Sequence, residues 1–313
     1  MKLDDIKKEL LGRLEVRKTD AQKTAFIDWA GQYAKECGCD MSIEESGKLI
    51  RTRNLVFGDL AKAKTLITAH YDTCARMPFP NFMTPDCWPV IILTQFFVPF
   101  VFFLALGFCM GFASAKVLPL PEWAAEILAP LICSAVIFAV VGLMLFGPQN
   151  PHTANDNTSG VALVLGLLAE YAGRGDVAFV LFDNEEKGLL GSSAFVNAHK
   201  GLQKQAFVVN LDCISDGDTM LFAYAKGAKD HVLTKKIIAA LKETAPKYGK
   251  RAKAGQSPRV LYPSDQMVFA RGTAFAALKG KRILYLDRIH TAKDTVFDEA
   301  NLMCLNEVIK KAI

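Results

Sequence analysis

The sequence predicts an α/β sandwich around a mostly parallel sheet, interrupted once by a long apolar insertion. Three observations predict it. Helix-like and strand-like periodicities alternate along the 313 residues, as they do where strands are joined through helices. Acids and histidines fall at the carboxyl ends of the strand-like runs, where open α/β sheets place their sites. Between two of those ends lie two charge-free stretches, from Cys87 to Ala115 and from Ile127 to Phe146.

The elements follow in order. Residues 2–15 and 20–37 read as helices, the first charged and amphipathic. That first helix has no apolar central region, so it is not a secretory signal. "KLIRTRNLVFG" and "TLITAHYD" read as strands. "SGVALVLGLLAEYAG" is a helix with a Ser-Gly start and a Gly stop. "VAFVLFD" is a strand, "GSSAFVNAH" a helix and "AFVVNLD" a strand. "DHVLTKKIIAALKETA" is a helix, "RILYLD" a strand, and residues 298–312 a closing helix.

Composition narrows the function. The net charge of +5 is modest and the lysines are scattered, which gives no signature of nucleic-acid binding. The one basic cluster, "KYGKRAKAG", reads as a solvated loop. Eight cysteines show no disulfide framework, which favours a reducing compartment.

A membrane span needs roughly 20 apolar residues, and both charge-free runs are long enough. Residues 87–147 are therefore expected to form an inserted two-helix transmembrane hairpin, with Pro99 kinking its first helix. The rest of the chain, 1–86 and 148–313, forms one discontinuous domain. His70 precedes the insertion and Asp156 follows it, so both lie on one side only if the chain crosses an even number of times. The connector carries one Lys against two Glu while the domain is basic, which places the domain in the cytoplasm. Self-association into an oligomer is the competing use of the same apolar surface.

The strand ends supply His70 and Asp72, Glu185 and Glu186, Asp212 and His290; the loop before a helix supplies Asp156. With Asp72 set apart, two histidines, two aspartates and two glutamates, without cysteine, suit zinc or a similar divalent ion. A pair of metals needs one carboxylate able to bridge and further donors on each ion. Five of the six residues meet that need, and the remaining carboxylate is free to act as a base. One member of the Glu185–Glu186 pair would hold metal while its neighbour moves protons.

The series "AHYDT", "ANDNTSGVA", "DNEEKGLLGS", "NLD", "SDQMVFARG" and "IHTAKDT", spanning residues 69 to 295, resembles the zinc aminopeptidases of family M28. The resemblance implies a three-layer αβα sandwich with a mixed sheet, two Zn2+ ions (Co2+ or Mn2+ suit the same donors) and a peptide substrate. It implies that His70 and Asp212 complete one metal site, that Glu186 and His290 complete the other, and that Asp156 bridges them. Glu185 would be the general base and Asp72 would orient His70. A cis peptide is expected after the bridging aspartate, at Asp156–Asn157. Tyr262 is a candidate donor to the oxyanion. Gln266 stands where the family usually has a histidine near the substrate pocket, and it cannot titrate near neutrality. Three readings compete: a membrane-anchored aminopeptidase, a glutaminyl-cyclase-like acyl transferase or N-acyl amidohydrolase on the same fold, and a non-catalytic membrane subunit. Cyclases of this kind work with one zinc, and all six groups are present here.

Overall fold

The computed structural model describes residues 3–77, 82–116 and 121–313. Eight strands form one sheet: β1 (Met41–Ser46), β2 (Thr52–Phe57), β3 (Thr65–His70), β4 (Val177–Phe182), β5 (Phe207–Leu211), β6 (Thr219–Tyr224), β7 (Arg251–Gln256) and β8 (Gly272–Leu278). Their order is β1-β2-β4-β3-β5-β8-β6-β7. The central strands β4, β3, β5 and β8 run parallel, β6 and β7 are parallel to each other, and the pairings β1–β2, β2–β4 and β6–β8 are antiparallel. The sheet is therefore mixed, as the resemblance implies.

Period-2 burial explains why helices cover both faces. In β4, Phe179 and Leu181 enter the larger core cluster while Ala178, Val180 and Phe182 enter the opposite one. The larger cluster is closed by α1 (Leu3–Arg13), α2 (Asp20–Glu36), α6 (Gly160–Glu170), α9 (Val232–Thr244) and α10 (Glu299–Ala312). The other is covered by α7 (Leu190–Ala198) and α8 (Lys200–Gln205). α2 starts at a capping box, in which Thr19 accepts from the Gln22 N–H and Gln22 bonds back to the Thr19 N–H.

Two expectations change. "RILYLD" is not a ladder strand; among the described residues it makes only the isolated bridges Met83↔Leu286 and Lys279↔Tyr285. Gly280, at φ +92°, turns the chain off the end of β8, and Leu284 and Leu286 bury as a packed loop in a small cluster. "KYGKRAKAG" is no solvated loop; most of it is β7, one edge of the sheet. The other edge, β1, carries Glu44 and Glu45 and shows no apolar alternation. Charged edge strands hide their periodicity because their outer backbone must repel further pairing.

The insertion comprises α3 (Trp88–Ile92), a π-helical turn at Leu93–Phe97 just before Pro99, α4 (Val98–Lys116) and α5 (Glu122–Phe146). α4 and α5 pack on each other. The stretch Glu126–Phe146 is a helix long and apolar enough to cross a membrane, with mean hydropathy 2.6 and none of its described side chains buried. Among the described residues of the first run, Phe100–Cys109 forms an apolar helical stretch shorter than a span. Connector residues 117–120 lie outside the described residues. The chain before and after the insertion touches in an antiparallel bridge, Ala75↔Gln149.

Candidate metal centre

The site is assembled at the carboxyl ends of three adjacent parallel strands and from two loops. β3 ends in His70, β4 leads into Glu185 and Glu186, and β5 leads into Asp212. Asp156 sits in the turn Ala154–Ser159 before α6, and its peptide bond to Asn157 is cis. That turn approaches β5 closely because residue 160 is glycine: a Cβ there would stand 2.2 Å from the Leu211 carbonyl oxygen. Asn157 Nδ2 donates to the same carbonyl at 2.9 Å.

Asp156 stands between two clusters. Its Oδ1 is 3.3 Å from His70 Nε2, and its Oδ2 is 3.2 Å from His290 Nε2. His70 Nε2 also lies 3.5 Å from Asp212 Oδ1, and His290 Nε2 lies 3.2 Å from Glu186 Oε2. Donor atoms of His70, Asp156 and Asp212 fall within 4.8 Å of one another, and so do those of Cys74, Asp156, Glu186 and His290. A third such group, His70, Glu185 and Glu186, puts Glu185 at the same centre. His70, Asp156, Glu185, Glu186, Asp212 and His290 line a cavity of about 120 Å³ that Met83 and Tyr262 also border.

The donor chemistry fits a divalent cation. Glu186 Oε1 and Asp212 Oδ1 are buried without a hydrogen-bond partner among the described residues, and buried carboxylate oxygens need a cation or a donor. His70 Nδ1 is 3.1 Å from the Asp72 carbonyl oxygen, which can only accept, so Nδ1 carries the proton and Nε2 is left free to ligate. The Asp72 carboxylate lies farther from that nitrogen, at 3.6 Å.

Without a cation, protons and histidines must balance the carboxylates. Burial, with Asp265 and Glu186 nearby, raises the Glu185 pKa well above the usual carboxylate range, although His70 opposes this. Burial likewise carries Glu186 to about 8. Burial works against charge on Asp156 too, but His290 and His70 outweigh it and hold its pKa below the ordinary value. For His290, burial is outweighed by Glu186 and Asp156, which take it up to about 9.

Three non-glycine residues beside the cluster adopt left-handed backbone: Asn184 at φ 55°, Cys213 at φ 54° and His290 at φ 61°. Such a conformation costs about 1–2 kcal/mol per residue, and it is held where surrounding contacts over-determine it, commonly at functional sites. At Asn184 those contacts are its side-chain bonds to the Arg51 carbonyl and Thr52 Oγ1, both 3.0 Å, and to Lys23 Nζ at 2.8 Å.

Peptidase family M28 matches residues 141–311, more than half of the chain. The chain belongs to peptidase family M28. The match begins at the end of the insertion, so it includes Asp156, Glu185, Glu186, Asp212 and His290, while His70 and Asp72 lie upstream of it. No curated protein matches the sequence. Solved structures share the M28 fold at low identity. A Zn-dependent exopeptidase from Parabacteroides distasonis is 14% identical with a TM-score of 0.61, covering 98% of this chain and 96% of that one. A leucine aminopeptidase precursor from Bacteroides thetaiotaomicron is 15% identical, at 0.59, over 99% and 96%. The glutaminyl cyclase of Porphyromonas gingivalis is 15% identical, at 0.57, over 99% and 96%.

Within this M28 chain, Tyr262 borders the metal cavity and its hydroxyl donates to the Asp212 carbonyl at 3.1 Å. Gln266 lines the neighbouring cavity, which shares Tyr262. There its amide donates to the Tyr262 carbonyl at 2.6 Å and its oxygen accepts from Asn210 at 3.1 Å. Two residues escaped the sequence reading. Asp294 accepts the backbone N–H groups of Asn155 and Asp156, at 2.9 and 3.0 Å, and so fixes the turn that presents Asp156. Cys74 joins the second cluster. Both lie inside or directly after the fragments "IHTAKDT" and "AHYDT", so their position was the available signal.

Proposed function

We propose that this M28 chain is a membrane-anchored metallopeptidase that removes N-terminal residues from peptides, with two zinc ions held at the Asp156 centre. The observation that carries this reading is the Asp156 carboxylate, one oxygen 3.3 Å from His70 and the other 3.2 Å from His290. A carboxylate shared in that way suits two ions, which favours a peptidase over a one-zinc cyclase. His70, Asp156 and Asp212 would hold one ion, and Asp156, Glu186 and His290 the other. Ions bound there supply Lewis acidity, which acidifies water and polarises a carbonyl.

The chain's own residues supply the rest. Glu185 borders the cavity, and its backbone N–H is fixed by Asp72 at 3.0 Å. It takes the proton of the attacking water and returns it to the leaving amine. Tyr262 keeps its phenolic proton, because burial and the neighbouring Asp212 and Cys213 hold its pKa well above the usual value. In turning that O–H from the Asp212 carbonyl it would donate to an oxyanion. Asp294 and Asp72 hold the ligand loops in place.

The hairpin is read as two spans with the catalytic domain in the cytoplasm. The exposed side chains of Phe100, Phe102, Leu104, Leu131 and Phe138 support burial in lipid. Its base lies near the site: Met83 borders the metal cavity, and Lys18 Nζ donates to the Leu145 carbonyl in the last turn of α5 at 3.2 Å. Substrates arriving along the membrane surface would meet the cavity first.

Metal analysis of the purified full-length protein, coupled to turnover of a panel of aminoacyl, N-acyl and N-terminal glutaminyl substrates, tests the activity. Two metals per chain with release of free amino acids is the expected result. Cyclisation of glutaminyl peptides, hydrolysis of N-acyl substrates alone or no turnover would select the other readings. Membranes washed with carbonate should retain the protein. A cysteine introduced in the 116–123 connector should react with impermeant reagent in intact cells, while one at Lys229 should not.

A further inference from the structure

The cluster around His290 contains a fourth donor. Cys74 lies two residues beyond Asp72 and is 1% exposed. Its Sγ and one donor atom each of Asp156, Glu186 and His290 all lie within 4.8 Å of one another, whereas among the described residues the first cluster has His70, Asp156 and Asp212. The Glu186 side chain is 9% exposed, and its Oε1 is buried with no hydrogen-bond partner among the described residues. An electron-pair acceptor belongs beside it. The neighbour of the sulfur, Asn150 Nδ2 at 3.6 Å, has two N–H groups, and closer carbonyls take them: His152 at 2.6 Å and Thr291 at 2.9 Å. The sulfur lone pairs are thus left unclaimed by Asn150. The strand exit carrying Cys74 is pinned to the ligand loop by the Met77 N–H, which donates to the His290 carbonyl at 2.7 Å.

We propose that Cys74 is a sulfur donor to the metal held by Asp156, Glu186 and His290. This rests on the two-metal reading above. As the metal enters, the thiol releases its proton to solvent and a sulfur lone pair makes the bond. That subsite then has four protein donors, enough to close a tetrahedral zinc site. The His70 subsite has three and keeps a position open, the pattern of a catalytic ion. The chemistry of the reaction is therefore centred on the His70 side, where Glu185 also lies. Sulfur is a soft ligand, so the closed subsite prefers zinc to manganese or magnesium.

Cobalt substitution of the full-length protein in detergent tests this without turnover. Visible d–d bands report cobalt in the site, and a near-ultraviolet sulfur-to-cobalt charge-transfer band reports a thiolate ligand. The wild type is expected to bind two cobalt ions and to show both features. Cys74→Ser should lose the charge-transfer band and keep d–d bands. Cys213→Ser, changed at the cysteine that borders the cavity, should keep both. X-ray absorption of the zinc-loaded wild type, which needs no variant, should show a sulfur neighbour at about 2.3 Å. Cobalt bands with no charge transfer, a charge-transfer band that survives Cys74→Ser, or a zinc shell without sulfur would overturn the role of Cys74 and leave the two-metal reading standing. A wild type that binds no cobalt would overturn both.

Discussion

The Asp72 carboxylate accepts the backbone N–H of Glu185 at 3.0 Å and, through its second oxygen, that of Glu186 at 3.3 Å. One strand exit thereby holds the next, and the paired glutamates cannot turn away from the cavity. Asp72→Ala is expected to lower metal affinity or kcat by roughly 10–100-fold, the typical effect of losing a residue that positions ligands. Metal titration alongside kinetics checks it; wild-type values for both would show that Asp72 positions nothing.

Glu185 and Glu186 are neighbours to which the proposed function gives different tasks. Glu185→Gln should keep its metal while kcat falls by about 100-fold or more, the scale of general-base catalysis. Glu186→Gln should lose one ion. The opposite pattern in metal content would exchange their roles.

Asp156 is the residue common to both clusters. Its change to Ala should weaken two ions together, whereas His70→Ala and His290→Ala should each weaken mainly one. Binding isotherms for the three variants decide it, and single-ion loss in all three would rule out a bridge.

The metal-free protein should lose stability as pH rises. Burial carries Glu186 from 4.5 to about 8 and Asp294 from 3.8 to about 8, and Glu186 and Asp156, outweighing burial, carry His290 from 6.5 to about 9. These folded-state values are raised, so the stabilisation is complete below the unfolded values and lost as pH climbs through the folded ones. Asp156, whose pKa is depressed, works in the opposite sense, but only in acid below its ordinary 3.8. Chelated protein should therefore melt at progressively lower temperature between about pH 6 and 9, and bound zinc should flatten that slope. A Tm of the chelated protein that is level or rises over this window would contradict it.

Lys23 and Asp183 form an ion pair with both residues buried, 5% and 0% exposed, immediately before the glutamate turn. Lys23→Met strands Asp183 without its cation and should cost about 3–5 kcal/mol of stability. Denaturant unfolding measures this. The double variant Lys23→Met/Asp183→Asn should recover part of the loss, since no unpaired charge remains.

Much of this architecture was legible along the chain. β3, β4 and β5 are short, wholly buried runs, and buried parallel strands read as continuous apolar segments. The residues at or just beyond their carboxyl ends, His70, Glu185, Glu186 and Asp212, follow from that register. Asp156 announces itself by the turn residues around it, and the insertion by its lack of charge.

What the chain alone determined is local: which runs are helix or strand, and which acids and histidines stand at their ends, because burial periodicity and turn chemistry act over a few residues. Only the tertiary structure decided what those ends meet. Asp294 reaches the Asn155–Asp156 backbone, Cys74 enters the His290 cluster, and Gln266 faces a cavity beside the metal site rather than the site itself. The edge strands β1 and β7 likewise exist because neighbours pair with them, not because their own pattern demands it. Each of these depends on contacts between residues distant in the chain, and no short-range periodicity encodes where a sheet brings them together.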